Sequence, residues 1–224
     1  MKKFNIDHLP NYKRVIESQP HIINSDLEPV IIPNVLSQAE IKTILQQMEE
    51  HPKERIRVQE WGGQANYDTL YLEDSVIQKA TWAMNRTFGE EFELYHYSVV
   101  KYSNKAGFKV KLFPHYDTRP AEMFVFDLQL KSNEDWGIVV EGEQYNLKDN
   151  QALIFSGTQQ IHWRENKQLS DSCDINMVFI WFTHKTPKTK SPEHDTLMKA
   201  REEALVIDVN INPNPVKNDG AVIA

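Results

Sequence analysis

The first third of the chain carries apolar residues at helical spacing. Ser37 followed by Glu40 forms a capping box, which predicts the start of a helix. A second box, of the form S-x-x-Q at Ser75 and Gln78, predicts another helix that runs to about Thr87. The apolar faces of these two helices are Ile41, Ile44, Leu45 and Met48, and Val76, Ile77, Ala80 and Met84. The pattern therefore predicts two amphipathic helices that need an apolar surface to cover.

From Phe92 onward the apolar spacing changes from helical to alternating, and turn residues separate short segments. No helix-length segment lies between these segments, so mostly antiparallel strands in a double-sheet jelly roll are expected. Together with the helices before it, this predicts an α+β, mainly β, single domain. The predicted strands are residues 94–102, 108–117, 122–130, 136–140, 144–147, 152–155, 161–164 and 175–182.

Beyond residue 186 the chain becomes polar and contains several prolines. A short helix is expected from about Pro192 to Leu205. The last segment, NINPNPVKNDGAVIA, is expected to be disordered or peripheral, because it has too few apolar residues to form a packed core.

Composition narrows the expected partners and compartment. The 224 residues, 40% of them hydrophobic, fit one domain better than two. A formal net charge of -7 provides no positive field for nucleic acid or an anionic membrane surface, so neither is an expected partner. The single cysteine, Cys173, cannot pair within the chain, and the first residues lack the apolar run of a secretory signal. No stretch approaches the roughly 20 apolar residues of a membrane span, and the cytoplasm is the expected compartment.

The candidate chemistry starts from the segment His115-Tyr116-Asp117. Residues separated by one position on a strand share a face, so the imidazole and the carboxylate converge. Eight His and 13 Asp in 224 positions predict about half an H-x-D by chance, so the context decides. His162 follows 45 residues later, after a Ser-Gly turn. Two His and one carboxylate form a facial triad that binds non-haem Fe(II). The alternative is a hydrogen-bonded pair at a strand end that holds no metal.

In order and spacing, these residues resemble the Fe(II)- and 2-oxoglutarate-dependent dioxygenases over roughly residues 29–182. VIIPNVLSQAEIKTIL is similar to the first strand and helix of the prolyl-hydroxylase-like branch, and SVVKYSNKAGF to its strand with a tyrosine and a glycine turn. ALIFSGTQQIHWRE is similar to the strand that leads into the distal histidine. The resemblance implies a double-stranded β-helix, cupin-like, in which His115, Asp117 and His162 hold the iron.

The resemblance also implies how the chain is divided and what it does. Residues 1–186 would form the oxygenase domain, with a jelly-roll core at about 92–183, and residues 187–224 a polar tail. Fe(II), 2-oxoglutarate and O2 would be used, with release of succinate and CO2. Halogenating relatives lack the carboxylate ligand, so Asp117 favours hydroxylation or another outcome of hydrogen abstraction. The implied substrate is a small molecule or an amino-acid side chain, free, peptidyl or carrier-bound, and the implied assembly is a monomer or a homodimer.

One departure from the family pattern concerns the cosubstrate. The family usually places Arg or Lys about ten residues after the distal histidine, to bind the far carboxylate of 2-oxoglutarate, but position 172 is Ser172. Arg164 is the first candidate to replace it, because it lies two residues after His162 and a guanidinium matches a carboxylate at two points. The alternative role of Arg164 is a surface salt bridge, with Glu165 or Glu141. The other candidates for cosubstrate binding are Lys111 and Lys109, then Arg119, with Tyr102 at a position that often touches the cosubstrate.

Two other functions compete with hydroxylation. A dioxygenase that repairs alkylated nucleobases would need basic strand contacts, and the charge of -7 counts against it. A non-catalytic jelly-roll binding module would carry the triad by chance or with a structural metal. If the chain is an oxygenase, substrate choice falls to loops at the mouth of the jelly roll, and residues 57–68, with Trp61 and Tyr67, are a candidate lid.

Overall fold

The computed structural model describes residues 6–18, 28–59, 64–103, 112–117, 123–165, 169–186 and 192–211. The helices are α1 (Pro10–Ser18), α2 (Gln38–Glu50), α3 (Asp74–Phe88) and α4 (Pro192–Ile211). The strands are β1 (Val30–Pro33), β2 (Ile56–Gln59), β3 (Gln64–Tyr67), β4 (Phe92–Tyr102), β5 (Leu112–His115), β6 (Met123–Ser132), β7 (Ile138–Val140), β8 (Glu143–Tyr145), β9 (Gln151–Ser156), β10 (His162–Arg164) and β11 (Ile175–His184).

Two antiparallel sheets form the body of the described chain. The larger has the order β1-β9-β6-β11-β4-β3-β2, and the smaller has the order β5-β10-β7-β8. From β4 to β11 the chain crosses repeatedly between the two sheets, with four of these strands in each. This alternation makes a double-stranded β-helix and confirms the predicted jelly roll. Strands β1, β2 and β3 extend the larger sheet at its two edges.

Helices α2 and α3 cover the outer face of the larger sheet. The first capping box is confirmed: Ser37 accepts from the Glu40 amide, and the Glu40 carboxylate accepts from the Ser37 amide. The second box is wrong, because the N-cap of α3 is Glu73, two residues before Ser75, and it makes no side-chain capping bond. The hydroxyl of Ser75 instead donates to Oε1 of Glu40 at 3.2 Å, which ties α3 to α2.

Strand β6 shows how the sequence separates the helix-covered side of the sheet from the interior of the jelly roll. Eight consecutive residues, 123–130, are buried, so both faces are covered. Phe124, Phe126 and Leu128 pack in the cluster that contains the helices, whereas Val125 packs in the cluster between the two sheets. Asp127 shares the parity of Val125 and therefore faces the interior, where the cavity lies.

The terminal helices pack together at the end of the molecule that holds β10. A short helix to about Leu205 was expected, but α4 extends to Ile211 and buries Leu205, Arg201 and Asp208. The carboxylate of Asp208 accepts from the backbone amides of Asn11 and Tyr12, at 3.1 and 2.8 Å, at the start of α1. Periodicity missed this packing because much of it is polar. Residues 212–224 lie outside the described residues, and none of the described helices is long and apolar enough to cross a membrane.

Candidate metal and cosubstrate site

The three predicted metal ligands meet on adjacent strands of the smaller sheet. His115 ends β5, His162 begins β10, and the two are direct partners in the strand register. Asp117 follows β5, and its Oδ1 lies 3.8 Å from Nε2 of each histidine. One ligand atom from each residue lies within 4.8 Å of the others. Two imidazoles and one carboxylate at this spacing fit the facial coordination of a divalent metal, with further positions left for exogenous ligands.

Backbone carbonyls orient both imidazoles. With Nδ1 as the protonated nitrogen, His115 donates to the Phe113 carbonyl at 2.7 Å and His162 donates to the Gln160 carbonyl at 3.0 Å. In each ring this tautomer leaves the Nε2 lone pair on the side of Asp117. Burial and the neighbouring His115 hold the pKa of His162 well below its usual range. His162 is therefore neutral at physiological pH, which is the form that binds a metal.

The carboxylate of Asp117 is fixed from two sides. Oδ2 of Asp117 accepts from the indole nitrogen of Trp181 at 3.0 Å, and the amide of Asp117 donates to the Gly157 carbonyl at 2.9 Å. A Cβ on Gly157 would collide with Oδ2 of Asp117 and come within 2.7 Å of Cγ2 of Val125. Position 157 therefore has to be glycine for the carboxylate to stay where it is.

Tyr116, between His115 and Asp117, anchors the loop to the terminal helices. It is 6% exposed and packs in a cluster with residues of α1 and α4. Its hydroxyl is hydrogen-bonded to that of Tyr12. Burial raises the pKa of Tyr116 far above its usual value, with Glu141 adding to the effect, so the hydroxyl stays neutral. The terminal helices thus support the ligand loop from behind.

A cavity of about 430 Å³ opens between the two sheets and includes the triad. Its lining also contains Tyr102 and Arg164, so the structure brings five of the seven predicted site residues together. The other two, Lys109 and Lys111, lie outside the described residues, as does the third-choice Arg119.

Arg164 forms part of the buried wall of this cavity. Its side chain is 2% exposed, and Nη2 donates to Oδ2 of Asp127 at 3.2 Å. Nη1 donates to the carbonyl of Trp136, and the guanidinium carbon lies 5.1 Å from the centre of that residue's ring and 5.9 Å from the Tyr102 ring. The alternative expectation, a surface salt bridge with Glu165 or Glu141, is wrong because the ion pair is buried and its partner is Asp127.

Asp127 is a site residue that the sequence reasoning missed. It is 1% exposed, lines the cavity and pairs with Arg164. Burial raises the pKa of Asp127 to about 6, although Arg164 acts to lower it. One signal was available: Asp127 is the only charged residue in the run MFVFDLQL, which is apolar enough for a strand buried on both faces.

Trp181 and His96 are two further residues whose roles the sequence did not reveal. The indole nitrogen of Trp181 donates to Asp117. His96 is exposed, lines the mouth of the cavity and stacks on Trp181 with ring centres 5.6 Å apart. Both lie on strands whose alternate residues face the cavity.

A polar network connects Tyr102 to the mouth of the cavity. The hydroxyl of Tyr102 donates to Oε1 of Gln64 at 2.9 Å, and Nε2 of Gln64 donates to Oδ1 of Asn66 at 2.7 Å. Gln64 and Asn66 belong to β3, in the segment that was expected to form a lid. Tyr67 packs on the helix-covered face instead, because the alternation of the strand turns it away from the cavity. Trp61 lies outside the described residues.

Comparison with known proteins gives a likeness of fold. No family model and no curated protein sequence matches the chain. Among solved structures, the non-haem α-ketoglutarate-dependent epimerase SnoN from nogalamycin biosynthesis has a TM-score of 0.58 at 12% identity, over 83% of this chain and 89% of its own. HygX from Streptomyces hygroscopicus, with nickel, 2-oxoglutarate and hygromycin B bound, has a TM-score of 0.52 at 9% identity, over 75% and 87%. A prolyl-4-hydroxylase from Pseudomonas putida has a TM-score of 0.51 at 13% identity, over 78% and 100%.

Proposed function

We propose that this chain, which has the fold of the Fe(II)- and 2-oxoglutarate-dependent oxygenases and of their prolyl-hydroxylase-like branch, is itself such an oxygenase. Its reaction would be hydroxylation of a small molecule or an amino-acid side chain, with release of succinate and CO2. The observation that carries the proposal is the triad of His115, Asp117 and His162. These residues present two imidazole nitrogens and a carboxylate oxygen to one point inside a cavity.

Each part of the proposed site has a group suited to its task. His115, Asp117 and His162 would hold Fe(II), and Arg164 would bind the far carboxylate of 2-oxoglutarate. When bound, the iron and 2-oxoglutarate supply an oxidant made from O2 that removes a hydrogen atom from the substrate. The protein's contribution is to bind and orient these groups and to limit the access of water.

The residues that line the cavity are consistent with these proposed roles. Val125, Ile138 and Phe155 give the inner part an apolar lining, which protects a strong oxidant from side reactions. Trp181 holds Asp117 in place for the metal. The polar residues of the mouth, among them Asn66, are placed to meet a substrate. SnoN and HygX are described with nogalamycin RO and hygromycin B bound, and this likeness favours a small molecule as the substrate.

The first test is spectroscopic and needs no substrate. Without O2, addition of Fe(II) and then 2-oxoglutarate is expected to give a metal-to-ligand charge-transfer band in the visible region. In air, succinate should form over a panel of amino acids, peptides and small-molecule extracts. Asp117→Ala is expected to abolish the band because it removes the anionic ligand of the metal.

The matched control is Asp174→Ala, which removes a carboxylate that pairs with Lys101 at 2.9 Å, outside the triad. This variant should keep the band. If the wild-type protein shows no band and forms no succinate, the oxygenase proposal is rejected. If Asp117→Ala keeps the band and binds Fe(II) as tightly as the wild type, the ligand assignment is wrong.

A further inference from the structure

The buried ion pair of the cavity wall leaves one polar atom unused on each partner. Nε of Arg164 and Oδ1 of Asp127 are both buried, and neither has a hydrogen-bond partner among the described residues. The rest of the pair is satisfied: Nη2 donates to Oδ2 of Asp127, and Nη1 donates to the carbonyl of Trp136. A buried donor and a buried acceptor without partners, on the two members of one ion pair, are costly unless a ligand uses both.

A carboxyl group that carries one proton jointly with Asp127 has the chemistry to use both atoms. One oxygen of this carboxyl group accepts from Nε of Arg164. Its other oxygen shares the proton with Oδ1 of Asp127 in a hydrogen bond. Arg164 lies two residues beyond His162 on β10, and both side chains line the same cavity as the triad. The two unpaired atoms are therefore buried in the wall of the cavity that would hold a 2-oxo acid beside the triad.

We propose that Arg164 and Asp127 together bind the far carboxyl group of 2-oxoglutarate, and that the site takes up one proton as the cosubstrate binds. This inference rests on the proposed function, since it concerns the cosubstrate of the same site. It assigns Asp127 a role in cosubstrate binding and makes the affinity for 2-oxoglutarate dependent on pH.

The charge balance of the wall is the physical reason for proton uptake. Arg164 and Asp127 neutralise each other, so a carboxylate that enters beside them would leave two negative charges against one positive charge in a buried place. An uncompensated buried charge is expensive, and such a group takes a proton instead. The raised pKa of Asp127 shows that burial already opposes its negative charge.

Among the described residues that face Asp127, Arg164 is the charged neighbour with which it pairs. The residues opposite Asp127 on the adjacent strands, Leu153 of β9 and Phe179 of β11, are apolar. Tyr102 of β4 is neutral because burial raises the pKa of its hydroxyl. The other titratable groups of the described cavity lining are the triad and Tyr116, with His96 and Arg57 towards the mouth. The side chain of Arg57 is 65% exposed and pairs with Asp68 at 3.3 Å.

The test measures binding and proton uptake rather than turnover. The protein is saturated with Co(II) without O2, and 2-oxoglutarate is titrated by calorimetry in two buffers of different ionisation enthalpy. About one proton is expected to be taken up per 2-oxoglutarate above the pKa of Asp127. There the apparent Kd should rise about tenfold for each pH unit. Pyruvate, a 2-oxo acid without the far carboxyl group, is the matched ligand and should bind without this uptake.

Asp127→Asn keeps the shape of the side chain and a hydrogen-bond acceptor for Arg164, but removes the charge. In this variant 2-oxoglutarate should bind without the extra proton, and more tightly than in the wild type at the alkaline end of the range. If the wild-type protein binds 2-oxoglutarate and pyruvate with the same proton count, the inference is overturned while the oxygenase proposal stands. If the metal-loaded wild type binds no 2-oxoglutarate at any pH, the proposed function fails and this inference fails with it.

Discussion

Substitution of Gly157 by alanine tests whether the position of Asp117 decides metal binding. The new Cβ would stand 2.7 Å from Cγ2 of Val125 and closer still to Oδ2 of Asp117. Ordinary contact begins at 3.4 Å, so the valine methyl alone would have to move by about 0.7 Å, the difference between the two values. The carboxylate has to move further, which strains or breaks its 3.0 Å hydrogen bond from Trp181.

Two effects of Gly157→Ala can be measured separately. Overpacking of a well-filled site costs about 1–3 kcal/mol, which thermal or urea unfolding of the metal-free protein reports. Displacement of a ligand or of its orienting partner costs about 10–100-fold in metal affinity, which anaerobic titration with Fe(II) or Co(II) reports. We expect both effects, since the same carboxylate oxygen receives the collision and the hydrogen bond.

Gly89→Ala is the control because it also replaces glycine by alanine but lies at the end of α3. Gly89 has φ +66 and nothing within 4 Å of its would-be Cβ, so the cost is backbone strain of about 1 kcal/mol. Its metal affinity should match that of the wild type. The reasoning is refuted if folded Gly157→Ala binds metal as tightly as the wild type, or if Gly89→Ala weakens binding as much.

Two further predictions concern the support of the triad and the support of the helical layer. Trp181→Phe removes the indole donor to Asp117 but keeps an aromatic ring. The metal affinity of this variant should fall by about tenfold or more, while its unfolding midpoint stays similar to that of the wild type. An unchanged metal affinity would contradict this role of Trp181. Burial raises the pKa of Glu40, but hydrogen bonds from Lys79 and Ser37 outweigh it and lower the pKa to about 2. This carboxylate therefore stabilises the fold above the ordinary glutamate pKa of 4.5, and the contribution is lost as the pH falls towards 2. Glu40→Gln should flatten that part of the stability profile in acid unfolding, and a profile parallel to the wild type would contradict it.

The sequence was sufficient for the triad because short-range rules place its members. Strand parity puts His115 and Asp117 on one side, and a turn before His162 returns the chain to the same sheet. The capping box of α2 is equally local, and the structure confirms it. The jelly roll followed from many short alternating segments without helices between them, a pattern compatible with few other arrangements.

The partner of Arg164 could not be predicted in the same way. Asp127 and Arg164 belong to different sheets and are 37 positions apart, so their contact depends on how the sheets pack face to face. No local spacing rule encodes such a contact. The length of α4 was underestimated for a related reason: Asp208 of this helix accepts from the amide of Asn11 at the start of α1, 197 positions away.

The alternation along β11 explains why support and chemistry can occupy neighbouring residues of one strand. Phe182 and Ile180 are fully buried against the helix-covered cluster, whereas Phe179 and Trp181 line the cavity. A substitution on the first face changes the packing of the sheet against α2 and α3, and one on the second changes the site directly. Because β6 divides its faces in the same way, Asp127 lines the cavity while its neighbours Phe126 and Leu128 pack in the core. The even and odd positions of these two central strands are thus under different physical constraints, although they are adjacent in the chain.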